Sequence, residues 1–235
     1  SGKNRVVWWD PRVLSLGKEE ASGLEADEAL RDDDVEGPKS IAAYQSWQQE
    51  KTDAVALGAL PSMTVKVARD LPNDANAPVV PVELTTAKRE GRPGGRRFGE
   101  LVHACLATVA LDAQAAQVRG VVEVMGRSLR APDEEIEAAV KAVDAALAHR
   151  VFEAARRAKK VRREASLVDH LSDGTVVEGV IDLAYETDEG WVVVEFKTDA
   201  AIDDSLTKYE TQTLAYVRAI SRATGQPVSG LILRV

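Results

Sequence analysis

The chain has 235 residues, 45% of them hydrophobic and 29% charged, with a formal net charge of −8 and one cysteine, Cys105. That length holds one well-formed core plus an appendage, and a single cysteine excludes both an internal disulfide and a four-cysteine iron–sulfur site. No apolar run approaches the ~20 residues of a membrane span, and SGKNRVVWWDP carries no signal peptide, so a reducing cytoplasm is the expected compartment.

Residues 5–16 (RVVWWDPRVLSL), with adjacent Trp8 and Trp9, read as an apolar strand that belongs to something larger. Residues 17–38 are acidic and glycine-bearing, the composition of a linker. Nine acids and one base between residues 19 and 36 sum to −8, so the rest of the chain is neutral overall. Ser40 is placed to cap a helix over 40–57, and 61–70 hold a short strand. Residues 71–97 are rich in Pro, Asn, Gly and Arg and are expected to form a mobile connector.

The core is expected to begin near Arg97. Phe98, Leu101, Val102, Cys105, Leu106 and Val109 recur at helical spacing and predict an amphipathic helix that runs to about Ala113. A second helix covers about 115–129. Pro132 opens a third at its first turn and the helical pattern continues to Phe152. Asp133, Glu134 and Glu135 complement the dipole at its start. Strands follow at about 161–169, 175–186 and 191–198, separated by SDG and TDEG turns. A helix over 204–224 stops at Gly225, a favourable C′ residue, and VSGLILRV makes a last strand. Helices, three strands, a helix and a strand predict an α/β fold with helices packed around the sheet. The expected segments are 1–38, 39–96 and 97–235.

The chemistry concentrates in GVIDLAYETDEGWVVVEFK, residues 179–197. Asp182 lies in one strand. Glu195 and Lys197 lie in the next, one residue apart and so on the same face. Trp191, Val192, Val193 and Val194 form a continuous apolar run, the mark of a strand buried on both faces. Charged residues at the end of such a strand need a reason to be there, because unpaired buried charge is expensive. Mg²⁺ takes oxygen ligands and keeps several waters, so two carboxylates can anchor it while a lysine stands beside a scissile phosphate. His103 lies on the flank of the first core helix, and Glu164 in the strand before the hairpin. Gln212 and Tyr216, four apart, share a face of the following helix with Tyr209, a polar stack suited to a sugar–phosphate backbone.

In order, these elements are a helical His103, Glu164, Gly179 to Asp182 as G-x-x-D, Glu195 to Lys197 as E-x-K, and Gln212 to Tyr216 as Q-x-x-x-Y. The set resembles the RecB-like nucleases of the PD-(D/E)XK superfamily, which stand at the C-termini of UvrD-like helicase-nucleases. The resemblance covers roughly residues 95–235, and Thr198 and Asp199 extend it as EFKTD. Phe196 departs from a family Tyr without touching the chemistry. The resemblance implies a restriction-endonuclease-like core with a mixed sheet. It implies that His103, Asp182 and Glu195 ligate Mg²⁺, with Mn²⁺ an alternative and the Phe196 carbonyl helping. Asp182, Glu195 and Lys197 would be catalytic, Glu164 a secondary member of the site, and Gln212, Tyr216 and Tyr209 DNA-positioning. VVWWDP resembles a segment near the end of UvrD-like helicase cores. The implied partners are therefore DNA, as a single strand or an unwound end, and a helicase module in the same polypeptide or bound to it.

Two basic runs stand out against the acidic total. Residues 88–97 hold Lys88, Arg89, Arg92, Arg96 and Arg97, and residues 156–163 hold Arg156, Arg157, Lys159, Lys160, Arg162 and Arg163. Clustered bases rather than net charge set phosphate affinity, so the second run is expected to line a DNA approach. No G-x-x-x-x-G-K-[ST] sequence is present, so this chain holds no ATP site. Two further readings stay open: a non-catalytic DNA-binding or architectural module of the same fold, and an interaction domain that engages a protein through Trp8 and Trp9.

Overall fold

The computed structural model describes residues 36–74, 77–199 and 205–235. The apolar strand expected at 5–16 and most of the acidic linker lie outside the described residues. The chain divides into two compact units, Ser1–Pro61 and Ser62–Val235. In the first, α1 (Glu36–Gly58) begins four residues before Ser40. Pro38 falls in its first turn, where no backbone donor is needed. The described side chains of α1 are exposed throughout, Ile41, Tyr44 and Trp47 among them.

The second unit carries a six-stranded mixed sheet. Its strands are β1 (Thr64–Val67), β2 (Val82–Leu84), β3 (Val161–His170), β4 (Thr175–Thr187), β5 (Gly190–Lys197) and β6 (Val228–Arg234). The order is β1-β4-β5-β6-β2, with β3 along the other edge of β4. β4 runs antiparallel to β3 and β5, while the β1–β4, β5–β6 and β6–β2 pairs are parallel. β6 is central, which explains its uninterrupted Leu231-Ile232-Leu233: both faces are covered.

Residues 62–97 supply more structure than their composition suggests. β1 and β2 both join the sheet, and a 3₁₀ turn (Ala68–Asp70) follows β1. β2 lies inside the expected connector. Val80 and Val82, two apart, pack with Ile232, and this alternation is too short to outweigh the surrounding prolines in a sequence window.

Helices α2 (Arg96–Thr108), α3 (Ala115–Ser128), α4 (Asp133–Leu147) and α5 (Arg150–Arg157) cover one face of the sheet. Their core gathers Phe98, Leu101, Leu106, Val122, Val143 and Phe152 against Leu183, Val194, Phe196 and Leu233. Cys105 belongs here, and burial pushes its thiol up to about 12, so it is an inert core residue. α6 (Leu206–Thr224) covers the other face, with Ala215 and Tyr216 against Val177, Ile181 and Val193. The helix expected from Pro132 to Phe152 is broken at His149, whose side chain accepts a hydrogen bond from the Val151 N–H and caps α5. Gly225 closes α6 with φ 66°, as expected of a C′ glycine. No described helix is long and apolar enough to cross a membrane.

β4 positions the site. On the side opposite β3, its first residues pair with β1 as far as Glu178, and its last pair with β5 from Leu183 onward. Gly179–Asp182 therefore has no ladder partner on that side. The same place is a change of face. Arg163 and Leu183 meet the α2–α5 layer, whereas Ala165 and Ile181 meet the α6 layer. The switch falls at Glu164, which has φ 46° and lies between the Arg163↔Leu183 and Ala165↔Ile181 pairs, opposite Asp182.

Candidate active site

Asp182 sits where β5 leaves β4, and its carboxylate replaces a missing ladder acceptor. Oδ2 accepts the Phe196 backbone N–H at 2.7 Å, and Oδ1 lies 3.0 Å from His103 Nδ1. Phe196 stacks on Phe152 and meets the His103 ring edge-on, which fixes both the strand end and the imidazole. The side chain of Glu195 is buried, and its Oε1 accepts from Lys197 Nζ at 2.7 Å. Lys197 Nζ also lies 4.2 Å from the centre of the Tyr209 ring, a cation–π contact that sets its direction. The Tyr209 hydroxyl donates to Asp199 at 2.6 Å, and burial with the Asp199 charge pushes the phenol up to about 12.

His103, Glu164 and Asp182 each offer a ligand atom, and the three atoms lie within 4.8 Å of one another. This differs from the expected set of His103, Asp182 and Glu195. Glu164 takes the near position because its left-handed backbone turns it across from Asp182, while Glu195 is drawn to Lys197. A non-glycine residue at that φ costs about 1–3 kcal/mol and persists only where the surroundings enforce it. Nothing in the residue pattern RREASLV signals that conformation.

The charges fit a divalent cation. Three carboxylates, of Asp182, Glu195 and Glu164, surround one imidazole. Burial and then the charge of Asp182 push the Glu195 carboxyl up to about 7, and its Oε2 is buried with no hydrogen-bond partner. Glu164 is raised by the same two causes, burial first. For His103, burial works against protonation, but the hydrogen bond and charge of Asp182, with that of Glu195, outweigh it and raise its pKa. An orphaned carboxylate oxygen and mutually repelling acids are what a hard cation would relieve.

Gln212 Nε2 donates to the Tyr216 hydroxyl at 3.1 Å. Tyr216 is only 2% exposed, so its ring is packed in the fold rather than presented at the surface. Its ring fills the space over Gly179, where an added Cβ would lie 2.4 Å from Cε1. The G-x-x-D and Q-x-x-x-Y elements are thus one packed unit, and Gln212 is its outward member. The bases of the 156–163 run have partners within the fold. Arg156 donates to the carbonyls of Leu111 and Leu147, and Arg163 to those of Leu106 and Val109, closing the C-terminal ends of α4 and α2. Arg157 pairs with Glu153, Lys159 with Asp188 and Lys160 with Glu186. Acids from α5 and from the far end of the β4–β5 hairpin pair with three of the six bases of the run.

A groove of about 870 Å³ lies elsewhere, between residues 86–93 and α4. Its lining mixes Lys88, Arg92 and Lys141 with Glu90, Glu134, Glu137 and Asp144, without the convergent acids of the Asp182 site.

Comparison with known proteins bears on this geometry. The PD-(D/E)XK nuclease superfamily matches residues 82–235. The chain belongs to that superfamily. Similar proteins include an ATP-dependent helicase/nuclease subunit of Alkaliphilus oremlandii (strain OhILAs), 28% identical over 95 residues, covering 33% of this chain and 8% of that protein. The protein of the same name from Alkaliphilus metalliredigens (strain QYMF) is 33% identical over 66 residues, covering 26% of this chain and 6% of its own. That from Oceanobacillus iheyensis is 32% identical over 68 residues, with the same two shares. The matched stretches span less than a tenth of these relatives' length. The chain is a nuclease-superfamily domain similar to a short stretch of these proteins, and the superfamily match begins at β2, ahead of Arg97.

Proposed function

We propose that this domain is a divalent-metal-dependent deoxyribonuclease that hydrolyses phosphodiester bonds of DNA. The observation that carries it is the meeting of His103, Glu164 and Asp182 within 4.8 Å, beside a buried Glu195–Lys197 pair. His103 and Asp182, with Glu164 or Glu195, would hold Mg²⁺ or Mn²⁺. When bound there, such an ion would supply an acidified water and offset charge on the phosphate. Lys197, fixed by Glu195 and by the Tyr209 ring, would supply a positive charge beside the scissile phosphate. Asp182 orients the imidazole and the end of β5 together. Gln212, held by Tyr216, positions the strand.

The proteins it resembles are named helicase/nuclease, which supports a nuclease working with a helicase, in the same polypeptide or as a partner, in DNA end processing and recombinational repair. A single strand or unwound end fits that arrangement. The test is cleavage of labelled single-stranded and duplex DNA with Mg²⁺, Mn²⁺ or EDTA, with Asp182→Asn beside the wild type. Metal-dependent cutting lost in the variant supports the reading. Metal-dependent binding without cutting would make the domain a non-catalytic DNA module.

A further inference from the structure

A second charged cluster lies one residue beyond Lys197, outside the carboxylate site. Arg92 donates from Nη2 to the Thr198 carbonyl at 2.8 Å and from Nη1 to that of Val235 at 2.9 Å. Its guanidinium lies 4.9 Å from the centre of the buried Phe98 ring. Arg89 donates from Nη2 to the Arg234 carbonyl at 2.6 Å and, more weakly, to that of Thr85 at 3.4 Å. The Arg234 side chain reaches back to the Asp199 carbonyl at 3.2 Å. Three guanidinium groups therefore converge on the ends of β5 and β6.

Arg89 and Arg92 make these bonds to carbonyls and pair with no carboxylate among the described residues. Burial comes first and the neighbouring arginines second in lowering the pKa values of both. Arg89 Nε and the hydroxyl of Thr85, a residue 5% exposed, are both buried with no hydrogen-bond partner. An unmet buried polar group costs about 1–3 kcal/mol, so a guanidinium N–H and a neighbouring hydroxyl both left unmet point to a missing acceptor. The α2 N-terminus adds to the field. Its cap, Gly95, offers no side chain, no acid lies in its first turn, and Gly99 packs so close to Thr198 that an added Cβ would sit 3.1 Å from Thr198 Oγ1. Arg89 and Arg92 each keep part of their surface open to solvent, while Arg89 Nε and the Thr85 hydroxyl lie beneath it.

We infer that Arg89 and Arg92, with Thr85, form a seat for one phosphate of the bound DNA, flanking the bond that the carboxylate site would cut. This rests on the nuclease reading and adds to it a separate anion subsite that fixes the strand relative to Lys197. Guanidinium forks suit phosphate oxygens better than an ammonium does, and the seat adjoins the strand end that carries the lysine. The phosphate is either an internal diester or a terminal monoester.

The test is oligonucleotide binding in EDTA, which separates it from cleavage, measured against salt for wild type, Arg89→Gln and the control Arg127→Gln. Arg127 is an exposed residue of α3 paired with Glu123 and makes the same change of charge. The glutamine introduced by Arg89→Gln keeps a donor for the Arg234 carbonyl. The expected result for Arg89→Gln is affinity down about tenfold, the loss of one charge-assisted hydrogen bond. Its slope of log affinity against log salt should be smaller by about 0.7, with Arg127→Gln unchanged. Equal losses on 5′-hydroxyl and 5′-phosphate strands assign the seat to an internal phosphate; a loss confined to the phosphorylated strand assigns it to the terminus. A folded Arg89→Gln protein with wild-type affinity and slope overturns the inference, as does a wild type that binds no strand. Should Arg89→Gln fail to fold, Thr85→Val in the same assay decides: the seat predicts a weaker oligonucleotide affinity than wild type, and wild-type affinity in the folded variant overturns it. Cleavage by the wild type is read independently, so loss of the nuclease reading leaves a distinct signature.

Discussion

Gly179→Ala is the sharpest test of how the motifs are tied together. A methyl at that position would lie 2.4, 2.5 and 2.8 Å from Cε1, the hydroxyl oxygen and Cζ of Tyr216. Carbon atoms prefer about 3.5–4.0 Å, so the overlap is on the order of 1 Å against a ring that is 2% exposed and bonded to Gln212. Overpacking of this kind costs about 1–3 kcal/mol, and the rigidity of an aromatic ring between sheet and helix puts this case near the top. For a unit of this size, about 3 kcal/mol lowers Tm by roughly 6–12 °C. Urea denaturation of Gly179→Ala, Tyr216→Ala and the double variant gives the coupling. Tyr216→Ala alone should cost about 3–5 kcal/mol, and adding Gly179→Ala to it should cost less than about 0.5 kcal/mol. A Gly179→Ala protein as stable as wild type, or an equal penalty on the Tyr216→Ala background, would refute the packing argument.

Glu164→Asn places a residue that tolerates left-handed backbone at φ 46° and removes a carboxyl raised by burial and by Asp182. The metal-free variant should gain about 1 kcal/mol in urea melts while Mg²⁺ affinity by calorimetry falls; a loss of stability with unchanged affinity would contradict the account. Glu195 has a folded pKa of about 7, above its ordinary 4.5, so the stability it contributes is full below 4.5 and disappears as pH rises to 7. That amounts to about 3 kcal/mol. The raised His103 acts in the same direction above 6.5. In EDTA the wild type should therefore lose stability between pH 4.5 and 7 and Glu195→Gln should lose much less, as measured by urea titrations at each pH; a flat wild-type profile would remove the carboxylate crowding. Arg156→Ala leaves the Leu111 and Leu147 carbonyls without their donor and should cost about 0.5–1.5 kcal/mol in stability, since water can reach the exposed side of the pair. Its DNA affinity should stay near wild type, and a large fall in affinity with unchanged stability would return the 156–163 run to the DNA surface.

The helices around His103 and the β4–β5 hairpin were legible because their periods are long and clean: five apolar positions on α2 with Val109 just beyond it, and an unbroken Val192–Val194 ahead of Glu195. The approach of Asp182 to Glu195 was also legible, since a short antiparallel hairpin fixes which residues face each other. β2 was not, because three residues between prolines carry too little pattern. The break at His149 was missed because His is an uncommon cap within an otherwise continuous helical stripe. The engagement of the basic run at 156–163 was not legible either. Its partners Glu186 and Asp188 arrive through tertiary structure, and local sequence cannot show that part of a cluster is already paired. The left-handed Glu164 and the burial of Tyr216 depend on the face switch in β3 and β4, a property of the assembled sheet.

The central claim is that Asp182, Glu195 and Lys197 form one hydrolytic site. Its most direct test is the cleavage of labelled DNA in Mg²⁺ by wild type and by Lys197→Ala, both shown to be folded. The account predicts cutting by wild type and a loss of at least about 10²-fold in the variant, the usual effect of removing a preorganised charge. Equal cutting by the two proteins, or none by folded wild type, would contradict it.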